Sequence, residues 1–85
     1  MQEAAFIALS INQDGQVFVG DQLAQGDALS QALTKAAEHN PDTEVQLRAD
    51  TRVPYGRVVD VMGIAHKAGL YRIGFVAESA TEQPR

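Results

Sequence analysis

Hydrophobic and polar positions along this chain fall into strand-like and helix-like periods, most sharply between Val45 and Gly69. Val45, Leu47 and Ala49 alternate with Glu44, Gln46 and Arg48, the period of a strand with one buried face. A turn follows from Asp50 to Val53. Pro54 suits the first helical position, because its ring presets the helical backbone angle and its missing N–H would find no partner there. Tyr55, Val58, Met62, Ala65 and Ala68 or Gly69 then recur at steps of three and four, which predicts a helix with one apolar stripe turned to a core. Gly69 marks its end, since glycine takes the left-handed C-terminal conformation at no steric cost.

Upstream, Phe6 to Ile11 reads as a strand with Ile7, Leu9 and Ile11 on one side and Phe6, Ala8 and Ser10 on the other. Asn12, Asp14 and Gly15 are turn formers, so the return strand Gln16 to Gly20 closes a hairpin. Asp21 to Gly26 is a connection. From about Asp27, the residues Leu29, Ala32, Leu33, Ala36 and Ala37 make the stripe of a second helix. Asp27 in its first turn and His39 near its end suit the helix dipole, and Asn40, Pro41 and Asp42 stop it. The last strand, Tyr71 to Ala77, places Tyr71, Ile73 and Phe75 on one face and Arg72, Gly74 and Val76 on the other. A lead-in of residues 1–4 precedes the domain at 5–78, and a polar tail over 79–85 is expected to be mobile.

The order β-β-α-β-α-β predicts an α+β fold of two layers, with two helices packed on one face of a small, four-stranded mixed sheet. Crossovers from Val19 to Val45 and from Leu47 to Ile73 are each long enough to join parallel strands, with right-handed connection the default. One sheet face stays wet. The outer strands leave edges that are either protected or used to pair with another chain.

A length of 85 residues narrows this to one small domain, with a stability of about 4–13 kcal/mol by per-residue scaling. The 45% hydrophobic content is too high for a disordered chain. No cysteine is present, which removes disulfides and thiolate metal sites. A net charge of −4 argues against non-specific nucleic-acid binding, which needs a basic footprint. The chain shows no secretory leader and no apolar run of about 18 residues that would span a bilayer, so read literally it is expected to be a soluble intracellular protein, the alternative being a domain excised from a longer chain.

Candidate chemistry is sparse. His39 and His66 lack a second histidine at ligand spacing and read as helix-surface residues. The glycines at 15, 20 and 26 form no phosphate loop, Ser10, Ser30 and Ser79 lie in no nucleophile motif, and no cofactor or metal motif is present. Asp50 ends a strand just before a helix, where open α/β sheets bind ligands; the plainer role is to cap the turn or pair with Arg48 or Arg52. Tyr55 could offer its hydroxyl to a partner, or pack with its tip hydrogen-bonded. A small-ligand regulatory domain using Asp50, Arg52 and Tyr55 is one functional reading.

The run LRADTRVPYGRVVDVMGIAHKAGLYRIGFVAE supplies another. It resembles the periplasmic domain of the ExbD/TolR family: a strand ending in R-A-D, a V-x-Y-x-x-V helix start, a V-M helix body, an A-G stop and an apolar final strand. ALSINQDGQVFVGDQLAQGDALSQAL is similar to that family's first hairpin and helix. Together these pieces cover about residues 5 to 78. The resemblance implies a non-enzymatic homodimer, anchored in the inner membrane with this domain in the periplasm. Its implied partners are an ExbB-like channel, met through a membrane helix, and a TonB-like protein that receives proton-motive force for outer-membrane nutrient import. The family's membrane helix, with its proton-carrying aspartate, has no counterpart residue in this chain.

The family pattern maps onto Asp50, Val53, Tyr55, Val58 and Met62 in the central unit and onto Gly69, Ile73 and Phe75 beyond it. Partner-binding or fold-critical candidates are Asp50, Val53, Tyr55, Leu70, Ile73 and Phe75. Phe75 stands where the family usually has an aliphatic residue, and Pro54 where it often has an acidic one. The RAD triplet and the IGFVAE ending look closer to ExbD. The TolR branch would instead imply peptidoglycan binding in the Tol-Pal system.

Overall fold

The computed structural model describes residues 5–78, and in it the alternating stretch Glu44–Asp50 becomes strand β4, with Val45, Leu47 and Ala49 buried and Gln46 and Arg48 exposed. Strand β1 (Phe6–Ile11) lies parallel on one side, pairing Ile7, Leu9 and Ile11 with Val45, Leu47 and Ala49. Strand β5 (Arg72–Glu78) lies parallel on the other, pairing Ile73, Phe75 and Ala77 with the same three residues. Since side chains alternate faces with period two, these registers bring every inward residue of the three strands onto one face.

The predicted hairpin joins β1 to the antiparallel strand β2 (Val17–Val19). Asn12 organises its turn: its Oδ1 accepts from the backbone N–H of Asp14 at 3.0 Å and of Gln16 at 2.9 Å. Gly15 takes φ 82° there, a left-handed value that a side chain would resist.

The connection expected from Asp21 to Gly26 instead opens with strand β3 (Gln22–Leu23), antiparallel to β2 across the two-residue turn Gly20-Asp21. The sheet therefore has five strands, in the order β3-β2-β1-β4-β5, where four were expected. The extra reversal has a consequence for topology. Because β2 runs against β1, and β4 runs with it, the parallel crossover into β4 begins at β3 and not at Val19.

Helices α1 (Asp27–His39) and α2 (Tyr55–Ala68) cover the inward face. Leu29 and Leu33 of α1 and Val58, Val61 and Ala65 of α2 join Leu9, Ile11, Val17, Val45 and Leu47 in one buried cluster. Two positions of α2 differ from expectation. The centre of its stripe runs through Val58, Val61 and Ala65; at about 100° per residue Tyr55 falls to the side of that line, and its side chain is 75% exposed. Pro54 has ψ 139° and stands as the N-cap, one residue before the first helical position.

The helix stops as the sequence predicts. Gly69 adopts φ 101°, and the N–H of Leu70 reaches back to the carbonyl of Ala65 at 3.0 Å, which satisfies a carbonyl the last turn would leave open. Leu70 is then fully buried at 0% exposure. Tyr71 lies before β5, not within it, and is exposed beside His66, their ring centroids 5.5 Å apart. The lead-in 1–4 and the tail 79–85 lie outside the described residues.

Candidate functional site

The turn between β4 and α2 is closed by Asp50. Its Oδ1 accepts from the Arg52 backbone N–H at 2.8 Å and from Arg52 Nε at 3.0 Å, while Oδ2 accepts from Arg52 Nη2 at 3.0 Å. Such bidentate, charge-assisted bonds favour both charged forms. The Arg52 side-chain bonds, then its backbone N–H, hold the Asp50 carboxyl below the usual carboxylate range, and Asp50 holds the Arg52 guanidinium above its ordinary value. The carboxylate is 11% exposed and the guanidinium side chain 56%. The Asp50 and Arg52 charges are thus spent on each other, leaving neither as an open counter-ion for a small ligand at this junction. Of the two roles weighed for Asp50, capping and pairing with Arg52 is the one seen.

Beyond the turn, the ends of β4 and β5 and the first turns of α2 enclose a groove of about 250 Å³. Buried Ala49, Val53 and Val58 form its apolar base, and Tyr55, Phe75 and Ala77 its sides. Four residues singled out from sequence meet here: Asp50, Val53, Tyr55 and Phe75. The other two serve the core, Leu70 as a fully buried residue and Ile73 as a partly buried one packed against it. Tyr55 does not pack with a sheltered tip; its ring stands in solvent at the groove's margin.

The groove lies along β5, which among the described residues is an outer strand paired only on its β4 side. Among those residues no strand lies beside its other edge, whose backbone N–H and C=O groups make a template for a further strand. On the uncovered face of the sheet, Gly74 and Val76 border a second depression of about 360 Å³, lined also by Glu44, Gln46, Leu47, Arg48 and Phe75. Side chains of an added strand would meet an apolar groove on one face and a depression of mixed polarity on the other.

Ala77 and Thr51 at the groove drew no notice in the sequence, because neither carries a motif; only the β4–β5 register places Ala77 beside Ala49. A second contact has no sequence signal at all. Arg57 Nε, in the first turns of α2, donates to the carbonyl of Gly15 at 3.0 Å across 42 positions, tying the hairpin turn to the helix that walls the groove. Among the described residues, no group of three or more His, Cys, Asp or Glu side chains is placed to hold a metal ion, and no helix is long and apolar enough to cross a membrane.

Comparison with known proteins matches residues 1–80 to the family described as Biopolymer transport protein ExbD/TolR. The chain is similar to Biopolymer transport protein ExbD of Escherichia coli, with 32% identity over 76 residues, 89% of this chain and 54% of that protein. It is equally similar to Tol-Pal system protein TolR of Pseudomonas aeruginosa, with 32% identity over 84 residues, 86% of this chain and 58% of that one. The ExbD of Pseudomonas aeruginosa is 31% identical over 70 residues, covering 82% and 53%. The chain thus spans little more than half the length of these relatives.

Proposed function

The chain belongs to the ExbD/TolR family of biopolymer transport proteins, and on that premise we propose that it is the partner-docking periplasmic domain of an ExbB-ExbD-TonB-type complex. In this reading the domain, spanning 5–78, dimerises and receives a TonB-like partner, passing on proton-motive force for outer-membrane nutrient import. An ExbB-like channel is met through an inner-membrane helix that is not among these residues.

The observation that supports docking is β5. Among the described residues it offers a seven-residue strand edge with no further strand beside it, next to an apolar groove, whereas the opposite edge, β3, is two residues long. An extended segment of the partner adds there as a further strand, with main-chain hydrogen bonds supplying affinity and alternate side chains supplying specificity. The test is a titration of the isotopically labelled domain with a peptide from the periplasmic linker of a TonB-like protein. Resonances of Ile73 to Ala77 shift on binding; no shift in either outer strand at millimolar peptide refutes the proposal.

The equal identity to a TolR supports a second reading, a peptidoglycan-binding domain of the Tol-Pal system. Sedimentation with purified cell wall separates the two, since a TonB-type docking domain stays in the supernatant.

A further inference from the structure

We propose that the strand docking on β5 is selected by a single uncharged apolar side chain, seated in the groove beside Ala77. This rests on the reading of β5 as the docking edge, and it specifies the chemistry of what docks.

A strand hydrogen-bonded to β5 alternates its side chains between the two sheet faces as β5 does, and directly opposed residues lie about 5 Å apart. On the helix-covered face, the new strand meets Phe75 and then Ala77. Phe75 fills its own position and is 43% exposed. Ala77 contributes only a methyl group, so the volume lies open beside it, between Phe75 and Tyr55 and above Val53 and Val58. A large side chain opposite Ala77 fills that volume and buries the exposed margins of both rings.

The polarity of the seat follows from its lining. Among the described residues, Asp50 is the only charged one that lines it, and its carboxylate already takes three hydrogen bonds from Arg52. A basic anchor would find a carboxylate already neutralised by Arg52, and an acidic one would be buried beside that carboxylate; burying a charge without a full partner is costly either way. Valine, isoleucine, leucine or phenylalanine meets neither penalty. The residue before or after the anchor that lies opposite Val76 turns to the other face, where Arg48 pairs with Val76 across the β4–β5 register. The recognised segment is therefore an extended strand with one apolar anchor on the helix-covered face, and the main-chain edge of β5 beside the groove favours this occupant over a compact small molecule.

Display selection of short random peptides against the chain tests this without assuming the partner. The selected peptides should share one aliphatic or phenylalanine position, and should shift the resonances of Tyr55, Phe75 and Ala77. Changing the anchor to aspartate should weaken binding at least about thirtyfold, the loss expected of a hot spot. Ala77→Leu, which fills the seat at an exposed position, should weaken it comparably with an unaltered thermal transition. Ala77→Gly, which enlarges the seat, should move the preference toward phenylalanine.

The seat is refuted by peptides that bind elsewhere, by β5 binding that ignores both the anchor and Ala77, or by self-pairing of two copies through β5 that no peptide displaces. The two proposals fail separately. If selected peptides dock at the seat but the TonB-type linker peptide does not bind, the seat stands and the assigned partner falls. If the linker peptide binds β5 with no dependence on an anchor or on Ala77, docking stands and the seat falls.

Discussion

Phe75→Ala divides the role of β5 in folding from its role in docking. With 43% of Phe75 exposed, a little over half of the residue is removed from water by the fold. Complete burial of a phenylalanine side chain is worth roughly 1.5–3 kcal/mol, so the share at stake is about 1–2 kcal/mol. That is well short of the roughly 3–5 kcal/mol lost when a fully buried phenylalanine is truncated. A domain of this length holds about 4–13 kcal/mol in reserve, so the variant stays folded. Urea unfolding followed by circular dichroism should show the midpoint falling by about 1 M for an m-value in the usual range. Affinity for a docking peptide should fall at least about tenfold, equivalent to about 1.4 kcal/mol. Two results refute the reasoning. A destabilisation of about 4 kcal/mol or more makes Phe75 a core residue, and unchanged peptide affinity in a folded variant removes the edge as the docking site.

Three further substitutions probe the scaffold. Arg57→Met removes the side-chain donor to Gly15; it should cost about 0.5–3 kcal/mol and speed amide exchange in the turn from Asn12 to Gln16, and unaltered exchange would show that the tie contributes nothing. Gly69→Ala places a methyl at a position of φ 101° where the nearest atom, Ala37 Cβ, is 3.7 Å away; the cost is backbone strain without a clash, about 1–2 kcal/mol, read from a thermal melt. Asp50→Asn addresses pH. The folded Asp50 carboxyl sits below its ordinary value, so its contribution is complete above the unfolded pKa of about 4 and is lost as pH falls through the folded value. The stability gap between wild type and variant should be flat near neutrality and narrow in acid below about pH 4; a gap unchanged in strong acid would refute the ion-pair account.

The parts of this fold that were legible in the sequence are those where a period had room to repeat. Seven residues of β4 and thirteen of α1 show their buried faces directly, and Gly69 announces the helix end. Strand β3 has two residues, too few for alternation to register; its one signal is Gly20-Asp21, a two-residue hairpin turn that the sequence reading divides between the end of the return strand and the start of a connection. Pro54 was misplaced by one position for a physical reason. Its ring fixes φ, here −61°, but leaves ψ free to be extended at 139°, so the same residue serves as an N-cap or as the first helical position. Tyr55 fits a stripe by spacing alone, yet Val61 shows where the centre of that stripe lies. The groove itself is tertiary: Asp50 and Tyr55 reach Phe75 and Ala77 only because β5 returns parallel to β4 in the register that sets Leu47 against Phe75.

The two edges of the sheet carry the remaining argument for where a partner docks. Long exposed edges invite unwanted pairing, and proteins guard them with proline, lysine, bulges or brevity. The β3 edge is guarded by brevity, since two residues offer little main chain to a newcomer. Among the described residues the β5 edge has no such guard. Between Arg72 and Glu78 it reads IGFVA, with neither proline nor charge, and it pairs in unbroken register with β4 along its whole length. An inserted lysine at Gly74 or Val76 would have protected it with little effect on the helix-covered core, because those residues face away from that core. That the longest edge is the unguarded one, with Phe75 exposed along it and an apolar seat beside Ala77, fits a strand kept available for pairing better than a strand that merely ends the sheet.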